Sequence, residues 1–284
     1  MSKKKTAVFL IVAAAVIAAL VAGIVLTDGL YEKAGSVNET MQDAVLHEGD
    51  KISFFGLAVN PAVLSAFVVT GILLIFAAVV RIFVIPKFSY IPSKFQLLLE
   101  QAVGMFENLA KTNSPHRNNF LGAYLFAAGA YISIGTLFEL VGIPWMTAAG
   151  ASVSLPAPLS DINGAIMMGC LSYLVILSGG ILSNGFRGVG RTLKEFSLPI
   201  SMSFRLFGAL LSGLLVTELV YSYLALSFVL PVVVGVLFTI LHALIQTYVL
   251  TMLTALFYGE VSEPPVLKPK TKKQKKVLSE VTSK

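Results

Sequence analysis

The chain has 284 residues, of which 56% are apolar and only 13% charged, with a mean hydropathy of +0.83. A water-soluble domain carries about 25% charged and about 45–50% apolar residues, so the composition argues against a soluble enzyme and points to the bilayer. The net charge of +6 is no nucleic-acid footprint, because most of it gathers in Lys3–Lys5 and in six lysines between Lys268 and Lys276, which read as flanks of membrane segments.

A spanning helix needs about 20 apolar residues. Six stretches qualify: Ala7–Leu26, Ala62–Ile85, Leu121–Ile143, Ile162–Leu182, Leu198–Tyr223 and Leu226–Tyr258. The first follows three lysines, as a signal peptide would, but its length favours a retained anchor over a signal core of about 7–15 residues. The expected fold is an all-α integral membrane protein with five core transmembrane helices and an N-terminal hydrophobic segment. A cytoplasmic amphipathic helix and a long tilted C-terminal hairpin of two helices complete it.

Charge sets the orientation. Residues 27–61 carry Asp28, Glu32, Glu39, Asp43, Glu48 and Asp50 against Lys33 and Lys51. The next connection, 86–120, carries Lys87, Lys94, Lys111 and Arg117, whereas 144–161 has neither lysine nor arginine. Residues 183–197 bring Arg187, Arg191 and Lys194, and the tail is rich in lysine. By the positive-inside rule both termini are cytoplasmic. Within 92–111, Phe95, Leu98, Leu99, Ala102, Val103, Phe106, Leu109 and Ala110 recur at helical spacing. This predicts an amphipathic helix in the interface plane or against the other spans. The last stretch is longer than the bilayer requires, so its helix must tilt, bend or project. Pro231 marks either a bend or the first turn of that helix.

The single cysteine, Cys170, allows no internal disulfide or cysteine metal site, and His47, His116 and His242 are far apart. No phosphate-binding glycine loop and no internal repeat is present. The chemistry therefore falls to polar groups inside the spans. Arg205 lies well inside an apolar run, where an arginine costs about 2.5–3.5 kcal/mol on insertion scales. It could snorkel, since Pro199 is only six residues away. However, Gly208, Ala209 and Ser212 fall within about 60° of it around the helix, and small residues let another helix approach. Glu218 lies about 140° around from Arg205. His242 and Gln246 stand i, i+4 in the last span, with Thr239 on the same stripe. Glu139 lies near the outer end of the third span, and Asp161 and Asn163 at the outer start of the fourth. Together these groups suggest a hydrated ion path.

At these residues the chain resembles subunit a of F-type ATP synthases. The resemblance rests on Pro199-Ile-Ser-Met-Ser-Phe-Arg205-Leu-Phe-Gly208, on Gln246-Thr-Tyr-Val-Leu-Thr-Met-Leu-Thr-Ala, on Pro92-Ser-Lys-Phe-Gln and on Leu159-Ser-Asp161-Ile-Asn163. It implies a non-catalytic stator subunit without cofactor or metal, beside a c-subunit ring, peripheral-stalk b subunits and the remaining synthase subunits, in a bacterial plasma membrane. Two offset half-channels would serve the ring carboxylate, with Arg205 between them. The implied layout is an anchor or signal at 1–26, an extracytoplasmic segment at 27–61, an ion-translocating domain at 62–260 and a basic cytoplasmic tail at 261–284. The chain departs from the family pattern at Ala209 (usually Asn), Leu214 and Thr239 (often Glu or His); Glu218 and His242 lie about a turn beyond the last two and would take over their work. An autonomous anion transporter or a structural scaffold are the competing readings.

Overall fold

The computed structural model describes residues 52–54, 57–116, 118–146, 152–222 and 230–264. The expected first span, the acidic segment up to residue 51 and the lysine-rich tail from 265 lie outside them. A short antiparallel hairpin, β1 (Ile52–Phe54) and β2 (Leu57–Val59), precedes the first described helix.

Helix α1 (Pro61–Val79) starts where Asn60 Oδ1 accepts the Ala62 N–H at 3.0 Å, with Pro61 in the first turn. A π turn (Val80–Val84) and a 3₁₀ turn (Ile85–Lys87) extend it. Phe67, Leu74, Ile75 and Phe83 project outward along its length, as they do on a helix solvated by lipid.

Helix α2 (Lys94–Asn113) is the expected amphipathic helix. Ser93 Oγ accepts the Gln96 N–H at 3.3 Å, and the buried Gln96 side chain ties back to Ser89 and on to Glu100. It packs on α3 (Asn119–Phe138) through Phe106, whose ring fills the space over Gly129 and meets Phe126 edge-on with centroids 5.8 Å apart. Other apolar side chains of α2, Leu97, Leu98 and Met105, stay exposed. The helix therefore covers the bundle with one edge and keeps an open apolar edge.

A 3₁₀ turn (Glu139–Val141) ends α3 at Gly142, where φ is +57°. The hairpin β3 (Pro144–Met146) and β4 (Ser152–Ser154) follows. Helix α4 (Ile162–Asn184) is the centre of the bundle, buried at Ala165, Met168, Gly169, Ser172, Val175, Ile176, Gly179 and Gly180. Its small residues let three other helices approach closely.

The connection expected at 183–197 is a correction. Its charges were read without an element: the chain reverses at Gly185 (φ +56°) and forms α5 (Phe186–Lys194), which runs back along α4. Gly188 meets the Gly180 carbonyl so closely that a Cβ on it would collide with that oxygen. Tyr173 Oη then donates to the Thr192 carbonyl at 3.0 Å. After a bend of 47°, α6 (Ser197–Ser222) continues the span that α5 begins. Helix α7 (Leu230–Ser262) has 33 residues, with Pro231 in its first turn. The described residues contain four long apolar helices able to cross a membrane, or five when α5 and α6 count as one broken span.

Leu121, Leu125 and Ile132 of α3, Ile176 of α4, Met202 and Leu206 of α6 and Leu250 of α7 share one buried cluster. The end of α7 is clasped by its neighbours. Asn184 Nδ2 donates to the carbonyls of Val261 and Glu263, both at 2.9 Å, and Arg191 donates to the latter at 2.9 Å. These bonds satisfy carbonyls that a helix end leaves free, and the cation suits the negative end of the helix dipole.

Candidate functional site

The contacts of α4 with the chain that folds back on it set where the segment leading to Arg205 lies along α4. They climb α4 in order: Gly180 against Gly188, Tyr173 against Thr192, then Gly169 against Pro199 and Ser203. Gly169 is fifteen residues, roughly 22 Å at 1.5 Å per residue, from the basic end of α4 at Asn184. Pro199, packed at the level of Gly169, thus lies away from the basic end of α4 and nearer its other end at Ile162, with α5 between Pro199 and the basic end.

On α6, Met202, Ser203, Leu206 and Leu210 are buried against the bundle. Arg205, Gly208 and Ser212 are exposed on the other flank, with Ala209 half-buried at its edge. A Cβ on Gly208 would meet nothing within 4 Å. Arg205 has no hydrogen-bond or ion-pair partner among the described residues. Ser201, one turn before Arg205, is exposed on the same flank; the small-residue stripe begins a turn earlier than the sequence reading placed it.

The remaining polar groups fall into two places. His242 is half-buried on α7, with Phe238 edge-on at 5.7 Å between ring centroids. Its Nδ1 lies 3.2 Å from where a Cβ on Gly213 of α6 would stand, one residue before Leu214. Gln246 and Thr239 are buried on α7. Glu218 belongs to α6, but its side chain lies outside the described residues, so its inward direction stays an expectation. Ser133 and Thr247 share a hydrogen bond of 2.7 Å between α3 and α7. Counting outward from that bond along the antiparallel helices, Glu139 and His242 lie about 9 Å and about 7.5 Å away. The turn holding Glu139 packs on α7, so the two share one level of that interface.

Asp161 and Asn163 stand apart. Asp161 is the N-cap of α4 and accepts a bond from Asn163 Nδ2 at 3.3 Å. No described contact joins them to His242 or Glu139. The hydroxyls of Ser133 and Thr136 on α3 and of Thr247, Thr251 and Thr254 on α7, all buried except the half-buried Ser133, were not anticipated. Their signal was the serine and threonine spacing of α7 at i, i+4, i+7. No group of three metal-ligating side chains exists among the described residues.

Fold and site together define a multi-pass membrane protein with an exposed arginine on α6 that has no partner among the described residues. The family described as ATP synthase A chain matches residues 63–259, and the chain belongs to that family, subunit a of the F-type ATP synthase. It is accordingly a membrane subunit on the stator side of the synthase, serving ion translocation with the other subunits of the complex.

Proposed function

We propose that this subunit passes ions to and from a carboxylate on a ring of c subunits through two offset half-channels, with Arg205 separating them. The supporting observation is the exposed Arg205 within an apolar helix, without a partner among the described residues and flanked by Ser201, Gly208 and Ser212. A charge in hydrocarbon is kept only where an opposite charge or a cavity offsets its cost. A carboxylate on a helix that docks over the small residues supplies that offset. The cation in turn lowers the carboxylate's pKa and releases its proton or sodium ion. Arginine suits the task because it holds its own charge.

His242 against α6, Glu139 at the same level, Gln246 and Glu218 form the outer half-channel in this reading, with Asp161 and Asn163 at its rim. Residues 62–260 are the translocating domain and 261–284 a cytoplasmic tail. The partners are the c-ring, the peripheral-stalk b subunits and the lipid bilayer of a bacterial plasma membrane. An autonomous secondary transporter would show paired broken spans around a midplane site; the described residues contain one.

Arg205→Ala should abolish ATP-driven ion pumping by the assembled complex in vesicles, and retained coupling would refute the role. Repeating the wild-type assay with and without sodium identifies the ion. Glu218→Leu should lower pumping strongly; unchanged rates would remove Glu218 from the path.

A further inference from the structure

The corner between α1 and α2 takes no part in ion transfer. Helix α1 touches the bundle with one half only: Leu64, Ser65 and Val69 are buried, but from Thr70 to Lys87 no side chain is. A cation lies within this bare half. Arg81 is exposed inside the π turn that extends α1, with Ile82 and Phe83 next to it 62% and 61% exposed. Single π turns in α-helices are rare and frequent at functional sites. Arg81 has no hydrogen-bond or ion-pair partner among the described residues. Lys87 follows six residues on, roughly 9 Å further along the helix, and the long arginine side chain can carry its charge towards that level.

The turn into α2 adds a third cation. The Ser89 N–H donates to Gln96 Oε1 at 3.3 Å, and Gln96 Nε2 donates back to the Ser89 carbonyl at 3.1 Å. This pair of bonds folds the first turn of α2 onto the end of α1, so Lys94, two residues before Gln96, comes to the corner that holds Lys87, two residues before Ser89. Both lysines are exposed and without a partner among the described residues. Little balances the three charges. The sequence from Ile52 to Leu99 contains no aspartate or glutamate, and the next acid, Glu100, accepts a bond from Gln96 Nε2 at 2.8 Å. Tyr90 and Ile91 stand almost fully exposed between the lysines, as side chains do at the boundary of headgroups and acyl chains.

We propose that this corner binds an anionic phospholipid of the leaflet at the basic end, with its phosphate among Arg81, Lys87 and Lys94 and an acyl chain along the bare half of α1. Phosphate and chain fit within one leaflet. From Lys87 back to Phe76 is roughly 16 Å, against about 15 Å for half of a bilayer's hydrocarbon core. The unbalanced cations select an anionic headgroup over a zwitterionic one. A partner's transmembrane helix with a carboxylate opposite Arg81 would satisfy that residue alone, whereas a phosphate at the headgroup level meets all three cations. The proposal stands apart from the role assigned to Arg205.

The test uses the whole synthase complex in phosphatidylcholine nanodiscs that contain a trace of phosphatidylglycerol or phosphatidylcholine with a diazirine on one acyl chain. After illumination, crosslinks on this chain are mapped by mass spectrometry. The phosphatidylglycerol probe should mark Phe76, Val79, Ile82 or Phe83 roughly tenfold or more above the phosphatidylcholine probe, from three cations near the membrane surface. The excess should fall in Arg81→Gln, vanish in Arg81→Gln/Lys87→Gln/Lys94→Gln and persist in Arg81→Lys/Lys87→Arg/Lys94→Arg, with phosphatidylcholine labelling the same in all of them. Inorganic phosphate should leave the excess intact when compared with chloride at equal ionic strength; loss to phosphate alone would assign the corner to a free anion and overturn the proposal. Equal labelling by the two probes, an excess unchanged by Arg81→Gln, or a corner sealed from both lipids by another subunit would each overturn it as well.

Discussion

Gly169 of α4 stands against Ser203 of α6, two residues before Arg205, with no room for a side chain between them. A Cβ there would collide with Ser203 Oγ and come within 2.8 Å of the Pro199 carbonyl oxygen. Gly169→Ala must therefore push α6 outward and carry Arg205 with it. The expected cost is about 1–3 kcal/mol, typical of overpacking, together with a loss of pumping. Thermal unfolding of the purified complex and a vesicle assay measure both. Gly104→Ala on α2, where a Cβ meets nothing within 4 Å, is the matched control and should leave stability unchanged or slightly raised.

Gly208 gives the opposite expectation. It is exposed with open space around it, so Gly208→Trp should change the stability of the chain by no more than about 0.5 kcal/mol. If a ring helix docks over it, the same substitution should abolish pumping. Undiminished pumping with the bulky side chain would show that this flank of α6 faces lipid alone.

The Ser133–Thr247 bond at 2.7 Å joins α3 to α7 on the level below Glu139 and His242. Ser133→Ala and Thr247→Val should each destabilise the subunit modestly. Their double-mutant coupling should be about 0.6 kcal/mol, the average for bonds between helices in membranes. A coupling near zero would mean that the two hydroxyls find other partners once separated.

Asn184 holds two carbonyls at the end of α7 and Arg191 holds one of them again. Asn184→Leu should leave both partly unsatisfied, at a cost of about 1–3 kcal/mol. Hydrogen exchange should rise locally over residues 259–263 and not in the middle of α7. Arg191→Gln, which leaves both Asn184 bonds in place, should have a smaller effect on the same segment.

Much of this was legible in one dimension. The last span was expected to end at Tyr258 and runs to Ser262, about one turn further, because hydropathy locates a membrane helix better than it locates its caps. The amphipathic helix around Phe106 and Ala110 was visible from its period alone. The segment whose helix went unseen was 183–197, with three cations and three glycines, Gly185, Gly188 and Gly190. Those glycines serve α4: one reverses the chain and another lets two backbones meet at Gly180. No local pattern shows that, since the partner lies in a different helix.

The sequence by itself determined the class of protein, the four long apolar helices among the described residues, and the presence of a cation beside small residues in an apolar run. It could do so because lipid offers the backbone no hydrogen bonds, so each span must be a helix and must be apolar along its own length. Only the tertiary structure decided which part of α4 the segment before Arg205 packs on, that His242 abuts α6 at Gly213, and that Glu139 shares its level. These depend on glycine-to-backbone fits between helices far apart in the chain, and on a break in one span that turns a cationic segment back into the bundle.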